Sequence, residues 1–560
     1  MNNNILSCSG TTINKSSDLF ANSLPKRVWE KDYTLWSSSP DEITNRLGWL
    51  NSIETTNKAL PEINAFVEEV KAAGYTSALL LGMGGSSLAP EVLRLMFGVK
   101  PGFLDLRVLD STDPGAVKNA LEASDPKTTL YIVSTKSGGT IETLSFAKFF
   151  FTEAVNCLGR EEAPKHFMAI TDPGSGLQTM MEQLAIRKIF INDPNIGGRF
   201  SALSLFGMVP AALLGIDVST FLQRAKIAAD ASQLNDSGNW PTVLGWVIAQ
   251  AAKEGFDKLT FLFSKEFSFF GVWVEQLVAE SVGKIGKGIL PVEGETDLEN
   301  SDYANDRLFV AMAFANDTVV EDSVNSLKAA GKPVIQIKLT DVYDLGREFF
   351  AWEFATAVAG AVMKVHPFDQ PNVEQAKIVA RAIIAEYKEK GALKELPLSC
   401  EENGIKVVGA GEISSIKESL AHLTAAFVES TPRSYFSLQA YVTPNAEITA
   451  ALQEFRTKLA KKHKAAVTVG FGPRFLHSTG QLHKGDAGSG LFIQFLSKHT
   501  NDFPIPEEAG ETDSSFSFGV LRNAQALGDR KALEDNNRKV LTIQLGDNPI
   551  ESLHYLTSLI

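Results

Sequence analysis

The tightest constraint on this chain is a pattern that occurs twice: a short apolar strand breaks into a glycine- and hydroxyl-rich turn and runs straight on into a helix. Leu79 to Pro90, LLLGMGGSSLAP, is the first case, and Leu130 to Thr143, LYIVSTKSGGTIET, is the second. Glycines take backbone angles closed to other residues, and a helix start aims unpaired N–H groups and the positive end of its dipole at whatever occupies the turn. Such turns seat anions. In the first, Gly82, Gly84 and Gly85 let a ligand approach the main chain, and the helix opens near Ser86 to Leu88. In the second, Thr135, Ser137 and Thr140 supply donors and Lys136 a cation. A helix cap needs one hydroxyl, whereas this turn offers three beside a lysine, so we read it as a binding turn.

Helix and strand alternate from about Leu60 onward. Ala78–Leu81, Leu106–Leu109, Leu130–Ser134 and Phe167–Thr171 read as strands, with helical periodicity between them. A second run offers strands at Leu259–Phe263, Leu308–Ala313 and Val334–Leu339, and helices near Phe269–Lys284 and Leu345–Lys364. Such alternation implies parallel sheets with helices on both faces and ligands at the carboxyl ends of the strands. Beyond about 390, Ser434–Tyr441, Val467–Phe471, Leu491–Phe495 and Val540–Leu545 read as strands between amphipathic helices. The expected fold is α/β: two doubly wound parallel-sheet units and a smaller C-terminal α+β domain. A chain of 560 residues is too long for one core. The expected divisions are an N-terminal segment 1–59, a first unit 60–219, a second 220–390 and the C-terminal domain 391–560. Residues 1 to about 20 read as a polar, mobile lead, and Trp29, Trp36 and Trp49 mark a packed segment after it.

A net charge of -13 argues against general affinity for nucleic acid or anionic membranes, so any bound anion must be held locally. Cys8, Cys157 and Cys400 are odd in number and scattered, which fits reduced thiols in the cytoplasm. The start MNNNILSCSG lacks the features of a secretory signal, and the longest apolar run, Leu203 to Ile216, is interrupted by Ser204 and Pro210.

Three further clusters carry chemistry. IGGRFS (196–201) sets Arg199 after two glycines and before a helix, where a guanidinium can clamp an oxyanion. WVEQLVAESVGK (273–284) puts Gln276 and Glu280 four apart on one helix face. FDQPNVEQAK (368–377) is a loop entering a helix that carries Lys377, a surface lysine by default.

GMGGSSLAP, STKSGGTIET, GGRFS, QLVAESVGK and FDQPNVEQAK, in that order over about 60 to 390, resemble the motifs of the glucose-6-phosphate isomerase family, which folds as two sugar-isomerase (SIS) units. The flanking WEKDYTLW, ITNRLGWL and GFGPRFLHSTGQLHKG resemble the isomerase half of transaldolase/glucose-6-phosphate isomerase fusion proteins. A transaldolase half needs a further barrel, for which the expected divisions leave no room. The resemblance implies exchange of glucose 6-phosphate and fructose 6-phosphate through an enediol, without metal or organic cofactor. It implies that Thr135, Lys136, Ser137 and Thr140 bind the phosphate, with Gly85 and Ser86 lining the same pocket. Glu280 is then the general base, Arg199 stabilises the enediolate, Gln276 positions the substrate and Lys377 contacts its ring or carbonyl oxygens.

One departure stands out. The family places a ring-opening histidine between the glutamate and lysine motifs, and here that interval holds only His366. His483, in STGQLHKG, is the first choice in its place, with His477 and His366 the alternatives. Because the family's histidine can arrive from the partner subunit, a homodimer is expected. Two other readings stay open: an SIS protein that binds a sugar phosphate without turnover, and an isomerase that also accepts mannose 6-phosphate. The glycine-rich loop from Gly470 to Gly490 either covers the site or serves a dimer contact.

Overall fold

The computed structural model describes residues 5–10, 20, 23–411, 413–499 and 501–560. The expected mobile lead is only partly within them, and there it departs from expectation: Leu6–Ser9 forms a strand, β1. Residues 1–4 and 11–19 lie outside the described residues.

The first sheet contains β2 (Ser77–Gly82), β3 (Asp105–Leu109), β4 (Thr129–Ser134), β5 (Phe167–Thr171) and β6 (Lys188–Ile191), in the order β3-β2-β4-β5-β6. All its pairings are parallel. Every residue of β4 is buried, as an apolar strand covered on both faces requires. The order reverses between β2 and β4, and a crevice opens outside the carboxyl ends of strands at such a point. Both glycine-rich turns begin there, one after Gly82 and one after Ser134.

The second sheet contains β7 (Lys258–Phe263), β8 (Leu290–Val292), β9 (Arg307–Phe314) and β10 (Val334–Leu339), in the order β8-β7-β9-β10, with β1 pairing antiparallel to β10 at the edge. The short strands β1, β6 and β8 are absent from the sequence reading, being too brief for a period-2 signal to accumulate. Helices join the two sheets into one hydrophobic core. Asp344–Met363 runs through its middle and is buried around nearly its whole circumference, as an apolar helix between layers must be.

The third sheet is mixed. It comprises β11 (Leu398–Glu402), β12 (Ile405–Val408), β13 (Tyr435–Tyr441), β14 (Ala466–Phe471), β15 (Gly490–Leu496) and, after a hairpin of β16 (Pro504–Pro506) and β17 (Ser514–Ser517), β18 (Lys539–Gln544). Its order is β11-β12-β18-β15-β13-β14. The run β18-β15-β13-β14 is parallel, and β12 and β11 add antiparallel strands at one edge. Helices Ile416–Ser430, Ala446–His463 and Pro549–Leu559 share a separate core with one face of this sheet, and the helix Phe518–Asp535 packs against the helix Val373–Lys390.

Candidate active site

The turn after β2 fits only glycine where it meets the rest of the site. Gly84 has φ +55°, and a Cβ on Gly85 would lie 2.0 Å from the carbonyl oxygen of Gly198. Gly85 therefore lets this turn press on the one carrying Arg199. The Ser86 carbonyl accepts a hydrogen bond from Ser134 Oγ (3.1 Å), which ties the two turns together.

In the second turn Thr135 Oγ1 and Thr140 Oγ1 are 3.2 Å apart, and Ser137 Oγ accepts from Gly139 N–H at 3.3 Å. Thr140 is the N-cap of the helix Ile141–Leu158 but makes no side-chain cap bond, so its hydroxyl is not spent on its own helix. Lys136 departs from its expected place. Its ammonium is taken by the Asp172 carboxylate and the Pro194 carbonyl (3.0 Å), and it is not among the residues that wall the adjoining cavity. That cavity, of about 260 Å³, lies between the turn and the helix Val373–Lys390, with Ser137, Gly139, Thr140, Lys377, His477 and Lys484 among its walls. Lys377 lines the cavity and pairs weakly with Glu374 (3.5 Å).

The helix Phe270–Val282 brings up the other half. Gln276 Nε2 donates to Glu280 Oε2 (3.2 Å) and to the His477 carbonyl (2.7 Å), while its amide oxygen is buried without a partner. Glu280 Oε1 lies 3.3 Å from Arg199 Nη1. The rest of the guanidinium is committed to protein acceptors: Ser281 Oγ (2.8 Å), Gln370 Oε1 (3.0 Å) and the carbonyls of Pro367 (2.5 Å) and Asp369 (2.9 Å). Lys284 clamps the same loop through the carbonyls of His366 (2.6 Å) and Asp369 (2.5 Å). Burial first, and then the charge of Arg199, pulls the Lys284 ammonium down to about 7.

The three candidate histidines lie in different surroundings. His483 is 1% exposed, its ring packed against Phe492 at 4.9 Å between centroids, with Ser437 Oγ at 3.4 Å and Gln439 Nε2 at 3.5 Å. Burial, and then the nearby charges of Lys484 and Arg538, holds it well below the usual histidine range. The short helix Gly480–Gly485 turns this side chain into the third unit's interior. His366 is engaged by the Asp41 carbonyl (3.1 Å) and the Phe368 N–H (3.1 Å).

His477 is the histidine at the cavity. Its Nε2 is 2.8 Å from Glu142 Oε1, which also accepts from Gln525 Nε2 at 2.7 Å, and Gln525 is fixed in turn by Thr112 Oγ1 at 2.7 Å. Burial pushes the Glu142 carboxyl up, but the charge and hydrogen bond of His477 outweigh it, and the group ends below the ordinary glutamate range. The turn carrying His477 is anchored by Arg474, 3.0 Å from Asp110, and by Ser478, whose Oγ donates to Glu275 Oε1 at 3.4 Å. A Cβ on Gly84 would meet Gln276 Nε2 at 3.0 Å and His477 Cβ at 3.1 Å, so all three units converge at one point.

Ser137, Thr140, Lys377 and His477 wall one cavity, and Gln276, Glu280 and Arg199 form a contiguous group joined to it through the His477 carbonyl, whereas Lys136 and His483 do not line that cavity. Sequence reasoning misses Glu142 as a partner, and Gln525 carries no local signal at all. Among the described residues no group of three or more His, Cys, Asp or Glu is arranged to hold a metal ion, and no helix is long and apolar enough to cross a membrane.

The family described as phosphoglucose isomerase matches residues 47–291. A glucose-6-phosphate isomerase of Rubrobacter xylanophilus is 28% identical over 367 residues, covering 56% of this chain and 84% of its own length. A probable glucose-6-phosphate isomerase of Haloarcula marismortui is 30% identical over 353 residues, covering 56% of this chain and 79% of its own. In fold, the chain is similar to a hypothetical protein from Thermus thermophilus, with TM-score 0.61 and 24% identity over 68% of this chain and 100% of that one. It is also similar to a glucose-6-phosphate isomerase from Chlamydia trachomatis, with TM-score 0.57 and 17% identity over 67% of this chain and 86% of that one.

Proposed function

The chain belongs to the phosphoglucose isomerase family, and from that membership we propose that it interconverts glucose 6-phosphate and fructose 6-phosphate by proton transfer through an enediol. The observation that carries the mechanism is one continuous hydrogen-bonded run: Glu280 to Gln276, Gln276 to the His477 carbonyl, and the His477 ring to Glu142 at the start of the phosphate-seat helix. It ties the carboxylate to the hydroxyl turn through only two intervening residues.

The phosphate sits on the Ser137 and Thr140 hydroxyls and the backbone N–H groups at the helix start, with Thr135, Gly85 and Ser86 shaping the seat and Lys377 closing it from the facing helix. Lys136 contributes through its field, reduced by Asp172. His477, oriented by Glu142, transfers the proton that opens the hexose ring. Glu280 then takes the proton from C2 of the aldose and returns it to C1. The free amide oxygen of Gln276 accepts from a sugar hydroxyl. Arg199 is saturated by protein acceptors, so it acts by fixing the Glu280 carboxylate and by its positive field on the enediolate oxygens.

Because His477 belongs to the same chain as Glu280, this reading takes no residue from a partner subunit, and the expected homodimer is kept as part of the proposal. We read the flanks as those of the isomerase module found in the fusion proteins, and the enzyme as cytoplasmic. A coupled assay on the purified chain tests the proposal. Glu280→Gln should lower kcat by ~10³-fold with little change in KM; absence of wild-type turnover, or full activity in the variant, overturns it.

A further inference from the structure

The third unit holds a cavity of about 620 Å³, separate from the catalytic one and larger than its 260 Å³. Its floor is one face of β12, β18 and β15. Lys406 pairs in register with Gln544, and Val408 with Thr542, which is itself beside Gln494. The opposite face of the same strands, with Val407, Ile493 and Ile543, is ordinary apolar core. A polar row on inner strands is costly when packed dry, and here it faces open volume. Ser497, Lys498 and His499 line the cavity just past the end of β15, so it opens at the carboxyl ends of parallel strands, where α/β sheets take their ligands.

Its charge opposes that of the whole molecule. Among the described residues, Lys394, Lys406, Lys498, Arg522 and Arg530 line it against a single carboxylate, Glu395, in a chain of net charge -13. The acids that pair with these cations, Glu401 (3.8 Å from Lys406), Asp547 (2.9 Å from Lys498), Asp113 (2.7 Å from Arg522) and Glu534 (2.9 Å from Arg530), are not among the lining residues. Arg530 is 4% exposed and pinned by Thr542 Oγ1 (2.5 Å) and the carbonyls of Gly409 (2.8 Å) and Val408 (3.3 Å), while its buried Nε has no acceptor among the described residues. A buried guanidinium N–H without a partner is expensive to maintain.

We infer that this cavity is a second binding site, for a small organic phosphate, with the phosphate held by Lys406 in the positive field of Arg530 and the remainder lying toward Lys498 and His499. The volume lies within the range of small-molecule sites. The helix Phe518–Asp535 forms one wall through Arg522 and Arg530, and its Gln525 reaches Glu142 at the catalytic cavity. The two sites therefore share an element but no residue that touches both ligands.

Calorimetric titration separates the sites when done in the full chain carrying Ser137→Ala and Thr140→Ala, which disables the catalytic phosphate seat. Pyrophosphate and fructose 1,6-bisphosphate should each bind this variant saturably, the sugar bisphosphate more tightly. In that background Lys406→Gln should weaken binding by about tenfold, since a charge-assisted contact to phosphate is lost. Glu395→Gln should tighten binding by about threefold by removing the only lining carboxylate. Lys406 and Glu395 are both solvent-accessible, so neither change threatens folding. Heats without saturation, or the same Kd in parent, Lys406→Gln and Glu395→Gln, overturn the assignment. Tighter binding of pyrophosphate than of the sugar bisphosphate would overturn the organic part of the ligand.

Discussion

The second and third sheets have the same strand sequence in their parallel parts, β8-β7-β9-β10 and β14-β13-β15-β18, and each sends one segment to the active site by different means. The second unit uses the crossover helix between β7 and β8, whose period sets Gln276 and Glu280 on one face. The third uses the irregular stretch between β14 and β15, with His477 on a single short turn. A helix positions its residues by its own hydrogen bonds. The 474–478 turn has no such ladder and depends on acids from the other units, Asp110 and Glu142 from the first and Glu275 from the second. A regular element thus carries its geometry with it, whereas a loop has to be held in place by its surroundings.

That contrast breaks most sharply at the two histidines. His477→Gln should cut turnover of ring-closed glucose 6-phosphate by ~10²-fold, with a stability loss of roughly 1–3 kcal/mol because the buried Glu142 carboxyl loses its partner's charge. His483→Gln should leave kcat within ~3-fold but destabilise the fold by roughly 1–3 kcal/mol, because it disturbs a packed interior. Steady-state kinetics and urea unfolding on both variants measure this, and the reverse pattern would return the ring-opening role to His483.

A smaller effect is expected from Arg474→Gln, which removes one anchor of the turn without touching the cavity's reacting groups. We expect ~10-fold lower kcat with KM nearly unchanged, and the same loss in an Asp110→Asn variant, so that the double variant loses little more. Additive losses would mean that the pair does not act as a unit.

The smallest effect concerns stability. Burial, reinforced by the neighbouring Glu293 carboxylate, pushes the Glu275 carboxyl from 4.5 up to about 8. The native state then keeps a proton that the unfolded chain has lost, so this group's contribution falls as pH rises from about 4.5 to about 8 and is fully unfavourable above that. Glu275→Gln should flatten this part of the pH–stability profile and leave the protein roughly 1–2 kcal/mol more stable than the parent at about pH 8.5, with no gain at about pH 4.5. Urea denaturation at the two pH values reads it directly.

Much of the first two units can be read in advance because their signals are local. Four strands of the first sheet are legible as apolar runs, and β4 lies at Thr129–Ser134 where the sequence reading expects Leu130–Ser134. The glycine turns are legible because Gly84 and Gly85 are demanded by backbone geometry and close approach. The pairing of Lys136 with Asp172 is not legible from sequence because Asp172 lies 36 residues on and on a different strand end. Composition alone favours His483 over His477, and nothing local says which way a six-residue helix will turn its side chains.

By itself the sequence determined the alternation of strands and helices, the two glycine- and hydroxyl-rich turns and the shared face of Gln276 and Glu280, since periodicity and glycine geometry act over a few residues. Only the tertiary structure decided which histidine meets Glu142, that Arg199 is spent on protein acceptors, and that Lys136 turns to Asp172. Those outcomes depend on which distant partners can replace water around each buried charge, a competition settled only when the three units pack together.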